Sequence, residues 1–132
     1  MSIGPASNIY IALVEDDESL CRSFTRLLRA AGFQAVTYPS AEAFLADAKR
    51  PRFDCLVLDV QFPDMSGLEL HRQLTSLGST TPVIFITAHE DPEVKTLALT
   101  TAGCAGYFRK TESGQVVIDA IKQAVSAIRK TI

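Results

Sequence analysis

Apolar residues along this chain fall into two alternating patterns. Residues 9–14 ("IYIALV"), 55–59 ("CLVLD") and 82–88 ("PVIFITA") are apolar at nearly every position and bounded by polar or turn residues, which predicts buried strands. Residues 34–38 ("QAVTY") and 105–109 ("AGYFR") predict two weaker strands. Between them, apolar residues recur at helical spacing. Leu20, Phe24, Leu27, Leu28 and Ala31 share one helical face that Gly32 closes. Ser40 is an N-cap candidate for a short helix to about Ala48. Leu68, Leu70, Leu74 and Leu77 mark a helix ending at Gly78, and residues 92–102 a helix ending at Gly103. Val117, Ile121, Ala124, Val125 and Ile128 mark the last. Strand and helix alternate five times, so the expected fold class is α/β, a doubly wound parallel sheet of five strands covered on both faces.

Composition narrows the function without changing that picture. A chain of 132 residues, 47% of them hydrophobic, is the size of one domain with a real core. Thirteen Lys and Arg against fifteen Asp and Glu give a net charge of −2, which leaves no footprint for direct nucleic-acid contact or for an anionic membrane surface. No apolar stretch approaches the roughly 18 residues that span a bilayer. Cys21, Cys55 and Cys104 are odd in number and far apart, without metal-ligand spacing, and read as reduced core thiols of a cytoplasmic protein. Residues 1–8 lack the basic and apolar blocks of a signal peptide and read as a flexible lead-in.

The chemistry gathers where such sheets hold their sites, at the carboxyl ends of the strands. Strand one ends in Glu15, Asp16 and Asp17, strand three in Asp59, strand four in Thr87 and strand five in Lys110. Taken alone, Asp59 reads as the start of a turn, with Pro63 and Gly67 close behind. In company it reads differently. Clustered carboxylates repel one another unless a cation sits among them, and Mg²⁺ suits oxygen donors while leaving positions for water and phosphate. Lys110 and Thr87 then call for an anion, and a phosphoryl group engages metal, ammonium and hydroxyl together. Asp59, at the centre, is the candidate nucleophile for an aspartyl phosphate. Asp17 and Glu18 instead read as the acidic start of the first helix.

The segments "LVEDDESL", "LDVQFPDMSG", "FITA" and "AGYFRK", in that order and spacing, resemble the receiver domain of two-component response regulators. The resemblance spans about residues 9–130 and implies a flavodoxin-like (βα)5 fold. It implies that Asp59 accepts a phosphoryl group from a sensor histidine kinase. The metal set implied is Asp16 directly, Glu15 through water, Asp59, and the backbone carbonyl at Gln61. It gives Thr87 and Lys110 the role of holding the phosphoryl group, and Thr87 and Tyr107 that of a switch. The output implied is the face of helix four, strand five and helix five, a surface for a homodimer on phosphorylation. The wording of the motifs resembles receivers joined to helix-turn-helix DNA-binding domains, which implies a piece of a longer transcription regulator.

Two rival readings belong to other classes. A flavodoxin-like phosphatase with an Asp nucleophile needs a second Asp two residues later, where this chain has Gln61. A receiver-like binding module that works without phosphorylation has no need of the intact acids, Thr87 and Lys110. Two departures from the family pattern stand out. The stretch between Thr87 and Gly103 is one residue longer than usual, and Thr111 follows Lys110 where most receivers have Pro. A non-proline bond there is expected to be trans, with Lys110 still reaching the acids and Thr111 capping the last helix. His89 is expected to be exposed, and His71 to face solvent from the third helix.

Overall fold

The structure, a computed structural model, describes residues 9–61, 65–89 and 91–130. The chain runs β1 (Tyr10–Val14), α1 (Glu18–Ala30), β2 (Gln34–Tyr38), α2 (Ala41–Ala46), β3 (Cys55–Asp59), α3 (Gly67–Ser76), β4 (Val83–Thr87), α4 (Pro92–Leu99), β5 (Cys104–Arg109) and α5 (Gly114–Lys130). All pairings are parallel, in the order β2-β1-β3-β4-β5. The chain leaves β1 in one direction to form β2 and returns on the other side as β3. That reversal opens a crevice at the carboxyl ends of β1 and β3, the place where open α/β sheets bind ligands.

Alternation along the strands divides the core into two layers. Val14, Leu56, Leu58, Val83 and Phe85 pack with Phe44, Leu70, Leu74 and Ala98 beneath α2, α3 and α4. Ile11, Leu13, Val57, Ile84 and Ile86 pack with Phe24, Leu28, Ile118, Ile121 and Val125 beneath α1 and α5. Strands β3 and β4 are buried throughout, as their unbroken apolar runs require.

Local chemistry starts the helices. Asp17 caps α1, its side chain accepting from the Leu20 N–H at 3.1 Å, and Ser40 caps α2 through Ala43. Ser66 and Glu69 form a reciprocal capping box on α3. Asp91 caps α4, with Pro92 in its first turn.

Helix α4 stops at Leu99, short of the expected 102. The Thr101 hydroxyl donates to the Leu97 carbonyl (2.6 Å) while the Thr101 N–H turns to the Ala98 carbonyl (3.2 Å), so the helical bond at Leu97 is replaced by a side chain. Gly103, at φ +84°, then turns the chain into β5. Strand β5 begins at Cys104, one residue earlier than expected, and its register against β4 slips at Ala105. No cis peptide bond occurs among the described residues, so Lys110–Thr111 is trans as expected. Thr111 does not cap α5. The Ser113 hydroxyl takes that part, accepting from the Gln115 N–H at 3.2 Å.

His71 overturns its expected exposure. It is buried, its Nε2 lies 2.8 Å from the Ala102 carbonyl oxygen, and its ring meets Phe85 edge-on at 6.0 Å. The buried stripe of α3 is Gly67, Leu70, His71 and Leu74, whereas Leu77 lies beyond the helix end with 77% of its surface exposed. His71 thus ties α3 to the turn before β5. His71→Ala should cost about 2–3 kcal/mol in urea unfolding, the scale of a lost buried hydrogen bond plus packing. Arg72→Ala, on the exposed side of the same helix, should cost less than about 0.5 kcal/mol. Equal small effects would return His71 to the surface.

Candidate functional site

The carboxyl pole is assembled by continuing the sheet one residue past its strands. The Glu15 N–H donates to the Tyr38 carbonyl at 2.9 Å, and the Lys110 N–H to the Thr87 carbonyl at 2.8 Å. These bonds aim Glu15 and Lys110 at Asp59, the last residue of β3. Glu15, Asp59 and Thr87 retain only 1%, 2% and 0% of their surface, so charge at this pole is set by neighbours more than by water.

One ammonium joins the two buried acids. Lys110 Nζ lies 2.8 Å from Asp59 Oδ2, 2.8 Å from Glu15 Oε1 and 3.1 Å from Glu15 Oε2. Each carboxylate is also held by a backbone amide two residues on: Asp17 N–H donates to Glu15 Oε2 and Gln61 N–H to Asp59 Oδ1, both at 2.9 Å. Glu15 Oε1 approaches the ammonium without hydrogen-bond geometry and is a buried oxygen short of a donor.

The charges do not balance. Burial raises the Glu15 pKa above its ordinary value, and the nearby Asp59 charge adds to the rise against the bond to Lys110. For Lys110, burial opposes the charged form, but the hydrogen bonds and charges of Asp59 and Glu15 outweigh it and raise its pKa. Both directions report one condition, more negative than positive charge in a confined space.

Carboxylate oxygens of Glu15, Asp16 and Asp59 lie within 4.8 Å of one another. Donors around octahedral Mg²⁺ are about 3–4 Å apart, so a small closing of these side chains completes a metal edge. The donor set fits. All three are hard oxygen ligands, Asp16 is open to water, and Glu15 Oε1, though 2.8 Å from the Lys110 ammonium, accepts no hydrogen bond. Asp17 is not part of the cluster, being occupied as the cap of α1. Gln61 is exposed and contributes its amide to Asp59.

The expected switch residues are near the site but turned from it. The Thr87 hydroxyl donates to the His89 carbonyl at 2.7 Å and accepts from the His89 N–H at 3.2 Å, bonding its own loop. His89 is exposed, as expected. Tyr107 is half-buried against the core layer under α2–α4. It pairs with Phe85, while Thr87 pairs with Arg109, so Tyr107 and Thr87 share one sheet face a diagonal step apart.

In the sequence Gly67 stood only as a turn residue and a motif letter. In the structure a Cβ there would overlap the Asp59 carbonyl oxygen, so the N-terminal turn of α3 rests directly on the backbone of Asp59. Its fixed spacing after Asp59, at the start of a helix, was the available signal. Residues 62–64, including Pro63, lie outside the described residues.

A doubly wound sheet of order β2-β1-β3-β4-β5, with acids and a lysine at its carboxyl pole, defines the receiver class of α/β domain. Residues 11–122 match the model of the response regulator receiver domain, and the chain belongs to that family. It is 38% identical over 120 residues to the response regulator protein TodT of Pseudomonas putida, covering 91% of this chain and 52% of TodT. It is 39% identical over 114 residues to the transcriptional regulatory protein FixJ of Rhizobium meliloti, covering 86% of this chain and 55% of FixJ. The crystal structure of FixJ-N superposes with a TM-score of 0.79 at 37% identity, covering 90% of this chain and 94% of the other. The chain spans about half the length of the curated relatives it matches.

The two neighbouring acids should separate in function. Asp17→Ala should lower stability by about 1 kcal/mol through loss of the cap and leave Mg²⁺ affinity nearly unchanged, whereas Asp16→Ala should weaken Mg²⁺ and spare stability. Chemical unfolding and a magnesium titration followed by NMR measure both; the reverse pattern would shift the acidic pair by one residue.

Glu15 supplies a test of the charge imbalance. With its folded pKa raised, the folded state holds a proton that the unfolded state has already released, so stability falls as pH rises from about 4.5 through the folded value. Glu15→Gln should therefore raise the neutral-pH Tm in metal-free buffer. Mg²⁺ at ten times its Kd should stabilise the parent protein by about 1.4 kcal/mol. A lower Tm for Glu15→Gln would show that the ion pair to Lys110 outweighs the burial of the charge.

Proposed function

We propose that this domain takes a phosphoryl group from the phosphohistidine of a sensor histidine kinase onto Asp59, in the presence of Mg²⁺. The observation that carries the reading is the buried pair of carboxylates, Glu15 and Asp59, held about a single ammonium. Receiver domains of response regulators are phosphorylated by histidine kinases, and among the described acids Asp59 is the one at the middle of the pole.

In the transfer an Asp59 oxygen forms the new O–P bond while the P–N bond to imidazole breaks, its electron pair returning to the histidine nitrogen. Lys110, already at Asp59, offers its charge to the incoming oxygens. The Gln61 amide fixes the orientation of the carboxylate. Glu15, Asp16 and Asp59 would hold Mg²⁺, which supplies positive charge to the phosphoryl oxygens when bound.

The response is a population shift biased by the new anion. The Thr87 hydroxyl, on leaving its loop for the phosphoryl group, vacates the position beside Tyr107. The surface that reads the change is α4–β5–α5, where Leu97 and Leu99 are 57% and 52% exposed and Val116 41% exposed. Apolar side chains there suit a homodimer formed on phosphorylation. By likeness to FixJ, named a transcriptional regulatory protein, the output is transcription through a DNA-binding segment outside the receiver, in the cytoplasm. No described helix is long and apolar enough to cross a membrane. Gln61, exposed and carrying no acid, speaks against an Asp-nucleophile phosphatase.

Acetyl phosphate with Mg²⁺ should add one phosphoryl mass to the protein, and Asp59→Asn should remove the addition, because the amide is a far poorer nucleophile. Intact-mass spectrometry distinguishes the outcomes. Equal labelling of the parent protein and Asp59→Asn would take Asp59 out of the role.

A further inference from the structure

At the pole opposite Asp59, the loops entering β3 and β4 enclose a cleft of about 390 Å³, within the size range of small-molecule sites. One wall carries Arg50 and Arg52 on either side of Pro51; the other is the hydroxyl-rich run Ser79, Thr80, Thr81. Phe53 and Leu74 form part of an apolar floor between them.

Arg50 is fixed before any ligand arrives. One of its terminal nitrogens donates to the carbonyls of Phe44 (3.2 Å), Leu45 (3.4 Å) and Asp47 (3.2 Å), and the guanidinium lies 4.7 Å over the Phe44 ring. This clamp uses one nitrogen of three. A guanidinium held in place with spare donors loses little freedom when it binds an anion.

The nearest acids in sequence form no ion pair with these arginines. Asp47 is engaged by the Tyr38 hydroxyl at 2.7 Å and the Lys49 N–H at 3.1 Å, and Asp54 accepts from the Tyr10 N–H at 2.9 Å. Arg50 and Arg52 form no ion pair among the described residues, and the Arg52 side chain is exposed. In a protein of net charge −2, two arginines outside any ion pair, beside an apolar floor and three hydroxyl residues, are a local exception.

We infer that this cleft is a second binding site, for a small organic anion that places a carboxylate or phosphate on the arginines and a planar apolar body on the floor. The fork of donors recognises two anion oxygens at once, and the hydroxyls opposite meet the remaining polar atoms. The site is remote from the phosphorylation chemistry and independent of it.

The test is a ¹H–¹⁵N NMR titration of this chain in Mg²⁺-free buffer with benzoate, phenyl phosphate, inorganic phosphate and benzyl alcohol. Benzoate or phenyl phosphate should give saturable shifts at Arg52, Phe53 and Ser79 to Thr81. The midpoint should lie at least about tenfold below those of inorganic phosphate and benzyl alcohol. The tighter of the two aryl anions tells carboxylate from phosphate. Arg52→Glu, a change on an exposed side chain, should raise the midpoint by about tenfold or more. The inference is overturned by the absence of saturation, by benzyl alcohol matching benzoate, by inorganic phosphate matching phenyl phosphate, or by an unchanged midpoint in Arg52→Glu.

Discussion

The Lys110 ammonium between Glu15 and Asp59 is the contact on which the carboxyl pole depends. Two carboxylates withdrawn from water at the ends of adjacent parallel strands repel one another, and removing the cation between them strands a buried charge at a cost of about 3–5 kcal/mol. The topology meets this demand. Strands β1 and β3 are neighbours because the chain reverses direction between them, which sets Glu15 beside Asp59. Strand β5 lies beyond β4, so Lys110 must cross the end of β4, and its backbone bond to the Thr87 carbonyl at 2.8 Å fixes where it starts. The fold therefore brings two negative charges together and delivers one positive charge to them, leaving the pole short of a cation.

That shortage connects structure to function. A pole in full electrostatic balance has no use for Mg²⁺ and nothing to gain from a phosphoryl group carried with it. Here Glu15 is pushed toward its protonated form by burial, and Lys110 is held firmly protonated by the acids. The hydroxyl of Thr87, fully buried and bonded to the backbone of its own loop, completes a resting arrangement in which the switch is satisfied without a phosphoryl group. Under the proposed phosphotransfer, an anion at Asp59 would compete for that hydroxyl, and a shift of populations requires only that it bind one arrangement better than the other. Gly67 matters for the same reason. With the first turn of α3 packed on the Asp59 backbone, a shift in α3 and a shift in the acceptor carbonyl cannot be independent.

Much of this was legible in the sequence, because the strongest signals are short and local. The run "CLVLD" coincides with β3 residue for residue, Ser40 and Asp17 stand where the caps are, and the rule of strand carboxyl ends brought Glu15, Asp16, Asp59 and Lys110 to one pole. What was missed depends on tertiary partners. His71 lies four residues after Gly67, on the stripe that the structure buries, but its polar atom finds a partner only in the Ala102 carbonyl, 31 residues away. At the end of helix α4 the Thr101 hydroxyl bonds the Leu97 carbonyl while the Thr101 N–H turns to Ala98, a competition that apolar spacing does not record. The direction of the Thr87 hydroxyl is set by the backbone of His89, and the cap of α5 by where the chain turns after Lys110, so that Ser113 rather than Thr111 is in place.

The central claim is that Lys110 and Thr87 are held in a resting arrangement that a phosphoryl group on Asp59 rearranges. A crystal structure of the protein with Mg²⁺ and beryllofluoride, a stable mimic of the phosphoryl group on an aspartate, tests it most directly. The account predicts Lys110 Nζ in contact with a fluoride, the Thr87 hydroxyl withdrawn from the His89 carbonyl and turned to the mimic, and Mg²⁺ among Glu15, Asp16 and Asp59. A mimic bound at Asp59 with the Thr87 hydroxyl still on His89, and Lys110 still shared between Glu15 and Asp59 alone, would contradict it.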